Sequence, residues 1–323
     1  MKAQIQSKVS LFASNAEVVR KDFIWQNTLL KRFSALLYAA EDRTVDIEAI
    51  RESFDIIKEN TSVFSSFRGT SKMSIATMLS LRGDRSAALT NTLDVYEKMK
   101  QARFRYSDYL AIASFQIATG AQPADYQQVV DRAKAFYDEM KKQHFFLTGS
   151  NDYIFAALLG LSGADVATGA ARIEELYRAL KPSFLSGSGV QALSTVLALG
   201  GKSVDAETRV LQMRDSFRKS RIRLDREYTL PALGFLALLP ASADEIANEV
   251  LEAYEFLRPQ KGFGAWSIAK QDLLLLTAGL VAFGYLENAN KDIINSSIAA
   301  SITGIIIAQQ AAASSAAAAS SSG

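Results

Sequence analysis

The sequence contains an acidic residue directly before a tyrosine at three places: Asp108-Tyr109, Asp152-Tyr153 and Glu227-Tyr228. Asp272 occupies a comparable place further along the chain. Carboxylate oxygens are the ligands that hard cations such as Mg²⁺ prefer, and a neighbouring tyrosine adds an aromatic face and a hydroxyl group. If these residues share one edge of the fold, they predict a polar binding groove or an acidic, Mg²⁺-assisted catalytic site.

The candidate ligand-binding residues all precede or begin nearly uncharged segments: Asp108, Tyr109, Asn151, Asp152, Tyr153, Glu227, Tyr228, Trp266 and Asp272. The catalytic alternative would use Asp108, Asp152, Glu227 and Asp272 as oxygen ligands. At a helix start, however, Ser, Asp and Asn most often cap the first free backbone N–H groups. Ligand binding and helix capping therefore stay open for these residues.

Several common chemistries are excluded by residue type. The chain has no cysteine and one histidine, His144, so thiolate and multi-histidine metal sites are absent. Gly187-Ser188-Gly189 resembles part of a dinucleotide fingerprint, but an amphipathic helix precedes it where that fingerprint needs a strand. Gly201-Lys202-Ser203 lacks the earlier glycine of a phosphate loop. We predict no cofactor and no resident metal ion.

A basic run extends from Arg209 to Arg226 and contains seven arginine and lysine residues. It indicates either a local phosphate- or RNA-contacting patch or the solvated face of a helix. The net charge of the whole chain is only +2, so no global field attracts polyanions. We do not expect nucleic acid as a partner.

A short signature recurs through the chain at steps of 37 to 42 residues. It consists of an aromatic residue, two variable residues, a bulky aliphatic residue and a base, with Ser220 replacing the aliphatic residue once. Each signature ends an amphipathic helical pattern, as in Tyr126, Val129, Val130, Ala133, Phe136 and Met140. A fixed period of this length is typical of stacked supersecondary units.

Nearly uncharged segments of 8 to 12 residues alternate with the amphipathic patterns, the first at 33–40 and the last at 273–284. Their Ala and Leu content favours buried helices over buried strands. We therefore predict an all-α fold of tandem helical hairpins of about 40 residues. The hairpins form a curved α-α superhelix or, alternatively, a closed α/α toroid.

Three regions follow from this pattern. Residues 1–28 form an N-terminal capping helix, 29–291 form the hairpin repeats, and 292–323 form an uncharged helix with an Ala/Ser-rich tail. The apolar part of the tail is shorter than the ~20 residues that span a membrane. We expect a cytoplasmic protein without membrane attachment, which can form a homodimer through the C-terminal helix.

The stretch Phe146-Leu147-Thr148-Gly149-Ser150-Asn151-Asp152-Tyr153 is followed by Ala156-Ala157-Leu158-Leu159. On this stretch, and along its whole length, the chain resembles an uncharacterised family of bacterial all-helical cytoplasmic proteins of unknown function. The resemblance implies a bacterial origin and supplies no activity, substrate or catalytic residue.

The function that the sequence predicts is binding. Stacked helical hairpins present an extended concave surface and a rim of loops, on which a protein, a peptide or a small molecule can bind. An α/α-toroid enzyme with the acidic site described above is the alternative, so the sequence leaves enzymatic activity undecided.

Overall fold

The computed structural model describes residues 1–69, 71–200, 205–226 and 228–286. Within these ranges the chain forms α-helices joined by loops and short 3₁₀ turns, and no β-strand occurs. The all-α class is therefore confirmed. The helices are α1 Ala3–Asp22, α2 Thr28–Ala40, α3 Ile47–Asn60, α4 Lys72–Ser80, α5 Arg85–Gln101, α6 Asp108–Gly120, α7 Tyr126–Gln143, α8 Tyr153–Leu161, α9 Val166–Leu180, α10 Gly187–Leu199, α11 Ala206–Lys219, α12 Leu230–Ala237, α13 Ala243–Leu257 and α14 Lys270–Leu286.

The helices alternate between two kinds. The even-numbered helices, here called the apolar helices, are buried over nearly all their faces; every residue of α14 from Leu273 to Tyr285 is buried. The odd-numbered helices are amphipathic, and α7 buries only its predicted stripe of Tyr126, Val129, Val130, Ala133, Phe136 and Met140. Burial of these apolar side chains, at about 25 cal/mol per Å², is the main force that holds the helices together.

The chain divides into two compact units. Among the described residues, the first contains Met1–Val45 and the chain from Glu175 to Leu286, and the second contains Asp46–Glu174. In the second unit α3 packs on α4, α5 on α6 and α7 on α8, and α6 also packs on α8. In the first unit α10 packs on α12, α13 on α14, and α1 on α2, α13 and α14. The loops that run from an amphipathic helix to the next apolar helix are called the return loops below.

Side-chain caps fix several helix starts, as their residue types predict. The Ser107 hydroxyl accepts a hydrogen bond from the Leu110 N–H at 3.2 Å at the start of α6. The Ser186 hydroxyl accepts one from the Gly189 N–H at 3.0 Å at the start of α10. The Gly187–Gly189 stretch thus forms the first turn of a helix that follows another helix, which excludes a dinucleotide-binding turn there.

A close approach of α7 and α8 requires a glycine at position 160. A Cβ at Gly160 would lie 2.7 Å from the Val129 carbonyl oxygen and 3.0 Å from the Ala133 Cβ. Because the nearest atom belongs to a helix backbone, the clash cannot be relieved by a side-chain rotation. Gly160→Ala is therefore expected to lower the free energy of unfolding by about 1–3 kcal/mol, measured by urea denaturation.

The matched control for this substitution is Gly83→Ala. No atom of another described residue lies within 4 Å of a Cβ at Gly83, apart from its chain neighbours, so the extra methyl group meets open space. Replacement there is expected to leave stability within about 0.5 kcal/mol of the native protein. Equal effects at the two positions would contradict the packing described for α7 and α8.

The predicted C-terminal helix and tail, 292–323, lie outside the described residues, as does the dimer contact assigned to them. Across the described ranges, no helix is both long enough and apolar enough to cross a membrane. The boundaries of the predicted N-terminal and repeat regions stay predictions.

Candidate functional site

Asp152 and Tyr153 lie inside the second unit, and each is only 3% exposed. The Asp152 carboxylate accepts a hydrogen bond from the Gly149 N–H at 2.8 Å, closing the 3₁₀ turn Ser150–Asp152 before α8. Burial raises the pKa of Asp152 to about 7, against the opposing effects of the Gly149 N–H and the Lys141 charge. Asp152 therefore caps a turn and does not line an open groove.

Tyr153 belongs to an aromatic cluster. Its ring meets the Phe104 ring edge-on at 4.9 Å between centroids and the Tyr137 ring at 5.1 Å. Its hydroxyl oxygen accepts a hydrogen bond from the Arg105 N–H at 3.1 Å. Burial raises the pKa of Tyr137 to about 12, with the nearby Tyr153 and Asp152 acting in the same direction. The cluster packs α7 and α8 against the return loop before α6.

Three further predicted residues of the second unit are half-buried: Asp108, Tyr109 and Asn151. Asp108 lies in the first turn of α6, where its carboxylate accepts a hydrogen bond from the Ser71 hydroxyl at 3.3 Å. Asn151 lies within the turn that Asp152 closes. The structure thus gives Asp108 and Asp152 separate local partners.

In the first unit, the predicted residues Tyr228 and Asp272 come together with Arg32, which the sequence analysis missed. Burial raises the pKa of Tyr228, and the Asp272 charge raises it further. Burial also raises the pKa of Asp272, while the Arg32 charge opposes this. Burial lowers the pKa of Arg32 to about 10 against the effect of Asp272. The Lys31-Arg32 pair at the start of an otherwise apolar segment was the sequence signal for this site.

The remaining predicted residues are Trp266 and Glu227. Trp266 is fully exposed in the return loop before α14. Glu227 lies outside the described residues. Among the residues that are described, no group of three acidic or histidine side chains is arranged to hold a metal ion. The Mg²⁺-assisted alternative therefore receives no support from the described part of the chain.

Large apolar side chains are exposed in the return loops of both units. The second unit exposes Val63, Phe64, Tyr106, Phe145 and Phe146. The first unit exposes Ile24, Trp25, Leu185 and Trp266. Phe146, Leu185 and Trp266 are 96%, 100% and 103% exposed. In the second unit the Tyr106 hydroxyl donates a hydrogen bond to the Phe64 carbonyl oxygen, which joins two neighbouring return loops.

An arginine-lined cleft lies in the first unit between the return loops before α10 and α12. It encloses about 1110 Å³ of empty volume that is open to solvent. Its lining residues are Ser183, Phe184, Leu185, Ser186, Arg218, Arg223, Asp225, Arg226 and Tyr228. Asp225 pairs with Arg218 at 2.6 Å, which leaves an excess of positive charge from Arg223 and Arg226.

The basic run found in the sequence does not form one patch. Arg209 donates hydrogen bonds to the carbonyl oxygens of Ala237, Leu239 and Ala241, so it stabilises the end of α12. Arg218, Arg223 and Arg226 line the cleft, whereas Lys219 is exposed and lies outside it. The solvated-face interpretation is therefore incomplete, because part of the run faces a cavity.

Comparison with known proteins shows which family the chain belongs to. A family model described as "Protein of unknown function (DUF4003)" matches residues 15–311, so the chain belongs to this family and the resemblance is confirmed. The chain is also similar to the uncharacterized protein YeaA of Bacillus subtilis (strain 168), with 23% identity over 208 residues. That match covers 62% of this chain and 63% of the length of YeaA. No solved structure matches the chain.

Proposed function

We propose that this member of a family of unknown function is a binding protein whose return loops hold an acidic protein or peptide. The observation that carries the proposal is the recurrence of large, exposed apolar side chains in the return loops of both units. Single exposed apolar residues are ordinary on a protein surface, whereas their clustering on one type of loop is typical of an interaction surface.

The predicted helical-repeat arrangement agrees with this choice. In such an arrangement the alternation of amphipathic and apolar helices would repeat the return loops with the period of the sequence. Whether the hairpins build an open superhelix or a toroid stays a prediction. A cytoplasmic location and a homodimer also stay predictions.

The arginine-lined cleft indicates the chemistry of the partner. Arg223 and Arg226 supply guanidinium groups that form paired hydrogen bonds with carboxylates. Leu185 and Phe184 stand beside them, and the exposed Leu185 offers an apolar anchor. This combination of cations and apolar surface favours a segment that carries acidic and bulky apolar side chains together. A large cleft open to solvent suits an extended segment better than a single inorganic ion.

Leu185→Ser and Arg223→Gln are each expected to weaken binding of such a segment about tenfold, which is the loss expected for a central interface residue. The probe is a fluorescein-labelled peptide in which glutamate alternates with leucine and phenylalanine. Fluorescence anisotropy measures its affinity for each variant at low ionic strength, where surface electrostatics are least screened.

Two controls separate this interaction from general charge attraction. Lys219→Gln removes an exposed base of α11 outside the cleft, and binding is expected to be unchanged. A peptide with lysine in place of glutamate is expected not to bind. The proposal is wrong if the lysine peptide binds equally well or if both cleft variants keep the native affinity.

A further inference from the structure

A second cavity in the first unit is surrounded by cations. It lies where α1, the N-terminus of α2 and the return loop before α14 meet. Arg20 comes from α1, Lys31 and Arg32 come from α2, and Lys261 comes from the return loop. The cavity is partly open to solvent and has about 260 Å³ of empty volume when that open space is included; Thr28 and Phe263 complete most of its wall. Among the residues that the structure describes, no acidic side chain lines it.

Lys31 is the residue that most needs a ligand. It is only 8% exposed, and no described residue pairs with its ammonium group. Burial lowers the pKa of Lys31, and the charges of Arg32 and Arg20 lower it further. Positive charge on a side chain this deeply buried, beside other cations, is costly for the fold unless an anion joins it.

The charges around the cavity leave an excess of cations. Glu17 pairs with Arg20 at 2.9 Å and lies 4.0 Å from Lys261, so it neutralises part of their charge from outside the cavity. Asp272 acts electrostatically on Arg32. Glu17 is shared with Lys21 as well, at 3.3 Å, so the four cations that line the cavity keep an excess of positive charge that a phosphate group can neutralise.

Hydrogen bonds fix the position of the return loop that lines the cavity. The Arg32 guanidinium donates hydrogen bonds to the Gly262 carbonyl oxygen and, at 3.0 Å, to the Ser267 carbonyl oxygen, so it fixes the loop that carries Lys261. The Asn27 side chain already accepts hydrogen bonds from the Leu29 and Leu30 N–H groups, so these N–H groups at the start of α2 are occupied. Binding of an anion would therefore rely on the side chains, with the positive end of the helix dipole assisting.

We propose that this cavity binds a phosphate group, either as free inorganic phosphate or as the phosphate of a small molecule. The site does not depend on the proposed peptide surface, because its residues do not line the arginine-lined cleft. The proposal is carried by the largely buried Lys31 side chain, whose ammonium has no partner among the described residues, and by the four cations that line the cavity.

Thermal unfolding of the full chain tests this directly, with inorganic phosphate or glycerol phosphate added and sodium chloride as a control at equal ionic strength. A large excess of a specific ligand is expected to raise the Tm by roughly 3 °C or more. An equal effect of both phosphates identifies a phosphate group on a small molecule, and an effect of inorganic phosphate alone identifies the free ion.

Lys31→Met keeps the apolar stem of the side chain and removes its charge. The variant is expected to lose the phosphate response while its Tm without phosphate stays equal or rises, because a buried charge has gone. Lys219→Met, which removes an exposed ammonium elsewhere, keeps the response. The proposal is overturned if phosphate does not raise the Tm of the native chain or if Lys31→Met responds fully. A marked loss of Tm in Lys31→Met without phosphate would also overturn it, since the ammonium would then have a partner within the fold.

Discussion

Asp152→Asn is expected to stabilise the protein at pH 8 by up to about 4 kcal/mol and to have little effect near pH 4. Burial raises the pKa of Asp152 from 3.8 to about 7, so the folded chain holds a proton on this carboxyl that the unfolded chain releases. The folded state therefore loses stability as the pH rises from about 4 through 7. Asparagine is neutral throughout, and its carbonyl oxygen can still accept from the Gly149 N–H.

Urea denaturation of the native chain and of Asp152→Asn at several pH values between 4 and 8 measures this effect. The two stability curves should separate progressively as the pH rises. Asp131→Asn, which alters an exposed carboxylate of α7, serves as the control and should show no such separation. A constant difference between native protein and Asp152→Asn across the whole range would contradict a buried carboxyl with a raised pKa.

Lys8→Met is expected to lower the free energy of unfolding by about 3 kcal/mol. Lys8 is fully buried, and its ammonium donates hydrogen bonds to the Ala40 carbonyl oxygen at 2.8 Å and the Ala39 carbonyl oxygen at 3.3 Å. It also pairs with the Asp42 carboxylate at 2.9 Å. Methionine fills a similar volume but leaves the carbonyl groups at the end of α2 without this donor.

Chemical denaturation of Lys8→Met beside Lys98→Met checks the prediction. Lys98 pairs with Asp94 across one helical turn on an exposed surface, where such pairs contribute at most about 0.5 kcal/mol. If the two variants were equally stable, the Lys8 ammonium would not be the group that joins α1 to the end of α2.

The periodic part of the fold could be predicted from the sequence. The six apolar residues predicted for α7 are all buried, because a spacing of three and four residues places them on one face of any helix. The apolar helices were predictable too, since nearly uncharged segments rich in Ala and Leu favour buried helices. These inferences need local spacing alone.

Contacts between distant segments could not be predicted in this way. Arg32 acts on Asp272 across most of the chain, and the packing of α2 against α14 decides that they meet. The burial of side chains in loops is even harder to predict from the sequence. Phe67 is fully buried while Phe64, in the same return loop, is 87% exposed. Residue type cannot separate the two, because irregular backbone has no fixed period.

Protection from hydrogen exchange in the presence of the glutamate-containing peptide tests the proposed binding function most directly. Mass spectrometry of the full chain with and without the peptide measures it for every segment. We expect slower exchange at residues 183–186 and 223–226, the segments that carry most of the lining of the arginine-lined cleft, and unchanged exchange along α5 and α7. Protection that is absent from these return loops, or confined to the exposed faces of the amphipathic helices, would contradict a binding surface at the return loops.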